Sequence, residues 1–245
     1  MHKKVITATI PVVFDFPQEE FDTVDEVFMR GEYESGYFGE NLTILDIGAN
    51  IGCFAVWANM RWPKSKIHAF EPHPETFKIL IQNVKSIDNI ICHNVAVYPS
   101  DRQKEIFYAR HPGDGEAGLT HYLNKYYKIF ESDNLFEVPI FHPAKLPEAD
   151  IVKIDTEGAE FQILDNMDIS GVSLILLEYH HLNDKNKIKE ILQKDFFLEF
   201  EEDIKYWNAS LPILGYDNYQ ENLADDYRGR LFFTNRNSNK LKKYI

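Results

Sequence analysis

From Leu42 onward the chain alternates short apolar runs with amphipathic stretches. The apolar runs predict strands at Thr43–Ile47, Lys66–Phe70, Ile90–Val95, Ile151–Ile154, Leu174–Leu177, Phe197–Phe200 and Arg230–Thr234. The amphipathic stretches predict helices at Gly52–Met60, Pro74–Lys85, Phe161–Met167 and Lys185–Lys194. Pro74 suits a first helical turn, where its missing N–H is no loss. Strands alternating with helices of about ten residues imply βαβ units and a mostly parallel seven-stranded sheet with helices on both faces. Upstream, Val5–Phe14 alternates loosely, as an edge strand or hairpin would. Phe21, Val24, Val27 and Phe28 recur at helical spacing and predict a helix over Glu19–Met29.

Two stretches break the rhythm. Ser100–Glu148, containing HPGDGEAG, reads as a flexible loop over the sheet edge, and Asp203–Arg228 is an aromatic-rich insertion. Both are where an α/β protein keeps its specificity. No repeat or linker divides the chain, so residues 1–41 read as an N-terminal strand and helix extension packed on one domain at 42–245. With 245 residues and 44% apolar composition there is enough material for one core. The net charge of −13 excludes a general affinity for nucleic acid, which is bound chiefly by Lys and Arg. The run at Lys240, Lys242 and Lys243 reads as a solvated tail. Cys53 and Cys92 lack metal-type spacing and sit in apolar stretches, as free thiols do in a reducing compartment. The N-terminus has no signal-peptide core and no window reaches the length of a membrane span. The expected location is the cytoplasm.

The most informative segment is Ile44-Leu45-Asp46-Ile47-Gly48-Ala49-Asn50-Ile51-Gly52, a strand ending in an acid, then a turn, then a helix. Gly48 and Gly52 let the backbone turn tightly and approach a ligand. The helix start offers free N–H groups, and Asp46 can attract a cationic amino group. Nineteen residues past Gly52, the next strand ends in Glu71, followed by Pro72; an acid there can accept from both hydroxyls of a ribose. The third strand ends at Asn94-Val95-Ala96, where a small residue leaves room for a purine. Together these residues describe an adenosyl pocket across the carboxyl ends of adjacent strands. An NAD pocket would need G-x-G-x-x-G, which D-x-G-A-N-x-G does not supply.

A second group lies downstream. The strand before Asp155 opens onto Glu157 and Glu160, and the next strand ends at Glu178, Tyr179, His180 and His181. Neighbouring parallel strands are about 5 Å apart, so the two groups converge. Chemistry on an acceptor hydroxyl beside such a pocket needs a group that takes its proton. His180 or His181 is one candidate base, and Glu157, crowded by Asp155 and Glu160, is another. A divalent cation on Asp155, Glu157 and Glu178 is a third option, ranked below the bases; no metal is assigned. Asp155, Glu157 and Glu160 also suit a plain helix N-terminus, and His68 reads as a satisfied core residue. Tyr206, Trp207, Tyr216 and Tyr219 suit stacking on an acceptor, core packing or a dimer contact equally.

The sequence resembles the FkbM family of S-adenosylmethionine-dependent methyltransferases. The resemblance rests on LDIGANIG at 45–52, FEPHP at 70–74, NVAV at 94–97, VKIDTEGAE at 152–160 and LEYH at 177–180, with GEYE at 31–34 a weaker match. It implies a Rossmann-like class I methyltransferase fold. It also implies S-adenosylmethionine held by the turn with Asp46, Gly48, Ala49, Asn50 and Gly52, by Glu71 with Pro72, and by Asn94, Val95 and Ala96; the residue pattern itself adds Asp155 to that set and puts the chemistry at Asp155, Glu157, Glu178 and His180. The implied reaction is O-methylation of a hydroxyl on a sugar, glycolipid or natural-product acceptor, so the expected partner is a small molecule or glycan, with a homodimer an open option. Three alternatives remain at this stage: an N-methyltransferase, an NAD-dependent oxidoreductase and a non-catalytic binding module.

Overall fold

The computed structural model of the chain describes residues 2–6, 12–17, 21–120, 134–205 and 227–243. The N-terminal strands β1 (His2–Ile6) and β2 (Val12–Phe16) pair as an antiparallel hairpin, followed by helix α1 (Phe21–Phe28) and the short β3 (Tyr37–Phe38). The central βα units are β4 (Thr43–Ile47), α2 (Cys53–Arg61), β5 (Lys66–Phe70), α3 (Pro74–Val84) and β6 (Ile90–His93). After them come β7 (Ala96–Val97), β8 (Lys104–Tyr108), β9 (Gly118–Leu119) and β10 (Leu135–Phe141). The chain continues with β11 (Ile151–Ile154), α4 (Glu160–Asp165), β12 (Leu174–Tyr179), α5 (Leu182–Leu192), β13 (Phe196–Lys205), β14 (Tyr227–Asn235) and β15 (Lys242–Lys243).

The main sheet has the order β13-β14-β12-β11-β4-β5-β6. It is mixed: β12, β11, β4, β5 and β6 are mutually parallel, and β14 lies antiparallel to both neighbours. The expected parallel character therefore holds except at β14. Alternation along each strand divides the core into two layers. Ile44, Ile151, Leu174 and Phe232 face the layer built with α1, α2 and α3. Leu45, Val152, Ile175 and Phe233 face the layer built with α4 and α5. Strands buried on both faces read as continuous apolar runs, which is why the sequence revealed them.

Local rules set the connections. His73 caps α3 and Pro74 occupies its first turn; His73 Nδ1 accepts from Thr76 N at 3.4 Å and contacts Thr76 Oγ1 at 2.8 Å. The N-terminal hairpin is tied to α3 through Asn83, whose Oδ1 accepts from Asp15 N (2.8 Å) and whose amide donates to the carbonyls of Asp15 (3.0 Å) and Ile51 (2.8 Å). Phe14, Phe16, Val24 and Val27 are buried in the same layer as α2.

Three expectations need correction. Ser100–Glu148 is not a loop in its described part: β8, β9 and β10 join β7 in a second sheet of order β7-β10-β8-β9, and residues 121–133 lie outside the described residues. β8 and β10 each bury one residue deeply, Phe107 and Val138, so no clear alternation marks them. The strand expected over Ile90–Val95 ends at His93, because Asn94-Val95 carries the chain out of the main sheet and into β7. The C-terminal lysines are not a free tail, since β15 pairs with β3, Lys240 meets Asp150, and Lys243 Nζ lies 2.7 Å from Glu199 Oε2. Cys53 is buried and Cys92 half-buried, both as free thiols. Among the described residues no helix is long and apolar enough to cross a membrane. The aromatic residues at 206, 207, 216 and 219 lie outside the described residues.

Candidate active site at the carboxyl edge of the sheet

β4, β5, β11 and β12 all end at one edge of the main sheet, where a cleft of about 360 Å³ opens between the sheet, α1 and the second sheet. An open α/β sheet binds ligands at this edge, and the volume is that of a small-molecule site. Its floor is the turn after β4. Gly48 has φ +80°, and a Cβ there would meet the Asp155 carbonyl oxygen at 1.7 Å. The residue must therefore be glycine for β4 and β11 to lie this close. Gly48 and Ala49 both donate to the Phe70 carbonyl (3.1 and 2.9 Å). Gly52, at φ +94°, starts α2 without a side-chain cap.

Glu71 lies at the end of β5 and is 6% exposed. Its Oε2 accepts from Asn50 N at 2.9 Å and its Oε1 from His73 N at 2.8 Å. A carboxylate has about four lone-pair sites, so one on each oxygen remains for a pair of hydroxyls. Burial pushes its pKa up to about 7, against the pull of the two N–H groups. Val95, Ala96, Val97, Phe107 and Leu119 form an apolar wall beside it. The HPGDGEAG stretch closes the cleft from above: Gly113 N donates to Thr76 Oγ1 (2.8 Å), and Asn50 Nδ2 donates to Gly113 O (3.0 Å). Arg110 and Asp114 to Ala117 line the cleft from that side.

A buried lysine governs the centre. The β11–β4 register sets Lys153 directly opposite Asp46. Its Nζ donates to Gly48 O at 2.6 Å and lies 3.5 Å from Asp46 Oδ1 and 3.4 Å from Asp155 Oδ2. Burial works against the ammonium charge, but Asp155, Asp46 and Glu32 more than offset it and hold its pKa above the usual lysine value. Burial raises Asp46 to about 6 despite Lys153. Tyr33, from the segment after α1, is buried at the cleft wall with its ring edge-on to Phe54 and 5.9 Å from Lys153 Nζ. Beside it, burial and the nearby Asp155 push Glu32 up to about 7.

The second group also converges. His180 Nδ1 is 3.1 Å from Glu160 Oε1, and its Nε2 is 3.1 Å from Glu157 Oε1 and 3.7 Å from Glu178 Oε1. Burial opposes a charged ring, yet Glu157 and Glu160 raise the His180 pKa well above the usual imidazole value. Glu160 Oε1 also accepts from Thr156 N (3.0 Å) and Gly158 N (2.9 Å). Against burial, His180 and these N–H groups lower its pKa to about 2. Burial raises Glu157, with His180 opposing. Glu178 rises to about 8 through burial and Asp155, with Arg228 Nε, 3.1 Å away, opposing.

Of the sequence-predicted residues, Gly48, Ala49, Asn50, Glu71, Pro72, Val95, Ala96, Asp155, Glu157 and Glu178 line the cleft. Asp46, Gly52, Asn94 and His180 lie behind that lining. Asp46 is fully buried behind Lys153, and Gly52 packs on Leu80, which a Cβ would meet at 2.7 Å. Asn94 donates to the carbonyls of Glu71 (2.9 Å) and Pro72 (3.0 Å), so it braces the β5 turn. His68 is half-buried and paired with His93 at 3.0 Å. Lys153, Tyr33, Glu32, Arg228 and the 110–117 segment were not singled out as site residues. The signals for them are a lysine inside the apolar run IVKI, the GEYE match that contains Glu32 and Tyr33, and the glycine-rich HPGDGEAG.

A family model for the methyltransferase FkbM domain matches residues 46–217. Methyltransferase 1 of Beauveria bassiana is 26% identical over 174 residues, covering 61% of this chain and 68% of that protein. The hexuronic acid methyltransferase AglP of Haloferax volcanii is 25% identical over 164 residues, covering 63% of each chain. Among solved structures, a precorrin-6y C5,15-methyltransferase from Geobacter metallireducens aligns with a TM-score of 0.44 at 14% identity, over 90% of this chain and 93% of that one. M. capricolum TrmK, in complex with S-adenosylhomocysteine, aligns with a TM-score of 0.42 at 12% identity, over 80% and 62%. The family match spans most of the sheet, including the ends of β4, β5, β11 and β12 at the cleft, and it removes the oxidoreductase and non-catalytic alternatives: the chain belongs to the FkbM methyltransferases, enzymes that depend on S-adenosylmethionine.

Proposed function

We propose that the enzyme methylates a hydroxyl of a sugar-like or natural-product acceptor. The observation that carries this reading is the convergence of Asp155, Glu157 and Glu178 on the cleft that also holds Gly48 and Glu71. The cofactor fits what the cleft offers: a floor that a Cβ at Gly48 would block, a carboxylate with lone pairs left on both oxygens, and an apolar wall. Gly48, Ala49, Asn50, Glu71, Pro72, Val95 and Ala96 would hold it, with Asp46 supporting them through Lys153. When bound, the cofactor supplies an electrophilic methyl group on a sulfonium.

The protein's own task is to hold the acceptor hydroxyl and take its proton. Glu178 is the better base. It faces the cleft, and its pKa of about 8 lies near the working pH, where a carboxylate is a stronger proton acceptor than an unperturbed one. His180, set between Glu157 and Glu160, holds its proton and orients those carboxylates. An oxygen acceptor of the sugar type is supported by the one relative whose name specifies a hexuronic acid.

The test is calorimetric titration of the full chain with S-adenosylhomocysteine, followed by labelled methyl transfer to a panel of sugars, uronic acids and amines. Saturable binding and transfer to a hydroxyl support the reading. Absence of binding overturns the cofactor site, and transfer to amines alone overturns the O-methyl assignment.

A further inference from the structure

Beside the cleft, a histidine and two carboxylates face a common point. Glu160 Oε1, anchored by the N–H groups of Thr156 and Gly158, lies 3.1 Å from His180 Nδ1. That contact keeps a proton on Nδ1 and turns Nε2 toward Glu157 and Glu178; a cation bound there would displace the second proton that the carboxylates hold on the ring. The His180 side chain is 9% exposed, and its Nε2 lies 3.1 Å from Glu157 Oε1, a separation that either a proton or a shared cation can bridge. One ligand atom each from Asp155, Glu157 and His180 lies within 4.8 Å of the others. The 3.1 Å between His180 Nε2 and Glu157 Oε1 is that of adjacent ligands around an octahedral ion with bonds of about 2.1 Å, and Asp155 would draw in to complete one face.

We propose that Asp155, Glu157 and His180 bind a divalent first-row cation of the Mn²⁺ type, with Glu160 as the carboxylate that orients His180. A histidine ligand whose other nitrogen donates to a carboxylate is the usual arrangement behind a metal. One imidazole with two carboxylates is softer than the all-oxygen set that Mg²⁺ takes and has no thiolate to select zinc. Charge agrees. Asp46, Asp155, Glu157, Glu160 and Glu178 outnumber Arg228 and Lys153, whose ammonium Asp46 and Asp155 share, so the cluster favours a cation. Arg228 holds Glu178 and keeps it outside the ligand set. Asp155 and Glu157 line the cleft, so the ion's open positions would face the acceptor and lower the pKa of its hydroxyl. That role rests on the proposed function; the site itself does not.

The experiment is titration of the chelator-treated full chain with MnCl₂ by calorimetry, with S-adenosylhomocysteine titrated separately into the same preparation. One equivalent of Mn²⁺ should bind, at least tenfold more weakly in Asp155→Asn and His180→Gln. Glu160→Gln should weaken it about 10–100-fold, the usual effect of losing an orienting carboxylate. Circular dichroism checks that each variant is folded, and Glu157→Gln replaces any that is not. No saturable heat in the parent protein, or equal affinity in folded ligand variants, overturns the site. If S-adenosylhomocysteine then still binds, the methyltransferase reading survives alone. If Mn²⁺ binds and S-adenosylhomocysteine does not, the site stands and the cofactor pocket fails.

Discussion

Lys153 lies inside a parallel strand with two aspartates around its ammonium. Removing one partner of a buried ion pair costs about 3–5 kcal/mol, because the other charge remains in low dielectric. Lys153→Met should lose stability of that order in urea denaturation, and Asp46→Asn in the same chain should restore part of it. The loss should be greater at pH 8 than at pH 5. Burial already holds Asp46 protonated up to about pH 6, and without Lys153 its pKa rises further, so low pH removes the unpaired charge. Glu178 gives a functional counterpart. A base with a pKa near 8 must lose its proton to act, so the turnover rate should climb as pH rises through about 8. Glu178→Gln should reduce it by about 10²–10⁴-fold and abolish that rise. An unchanged profile in the variant would pass the role to Glu157. The sequence made Asp155 and Glu178 visible, since each follows an apolar run, and Glu157 and Glu160 come in the turn just after Asp155. It did not reveal that His180 sits between two of them, because that depends on how β12 and the 155–160 turn face each other.

At the scale of elements, the βα units were legible and the second sheet was not. The α2–β5–α3 segment carries helical and strand periods, a cap at His73 and a proline in the first turn, all pointing the same way. In β8 and β10 the alternation is faint, and their partners are distant in sequence, so pairing decides what propensity does not. Gly52 links the two scales, joining the cofactor turn to α3. Gly52→Val would force a branched side chain onto φ +94° and into Leu80. It should cost at least about 1–3 kcal/mol from backbone strain alone and weaken S-adenosylhomocysteine binding. Parent-like stability and binding would mean that this turn tolerates a Cβ.

For the whole molecule, the N-terminal segment joins the main core and also reaches the cleft. Phe14 is fully buried and packs in the layer of α2, with its ring 5.4 Å from Phe28. Truncating a buried phenylalanine costs about 3–5 kcal/mol, and in a chain of this size each kcal/mol moves the melting point by about 2–4 °C. Phe14→Ala should therefore lower Tm by about 10 °C in a single transition, and two separate transitions would show that the segment folds independently. What the sequence determined by itself was the set of strands buried on both faces, the turns that end them and the acids placed there, since these follow from local period and backbone freedom. Only the tertiary structure decided the Lys153–Asp46 pairing, the cover from residues 110–117, the second sheet and the place of Glu32 and Tyr33 beside the cofactor edge. These depend on contacts between distant segments, and a sequence pattern records which faces are apolar, not which of them meet.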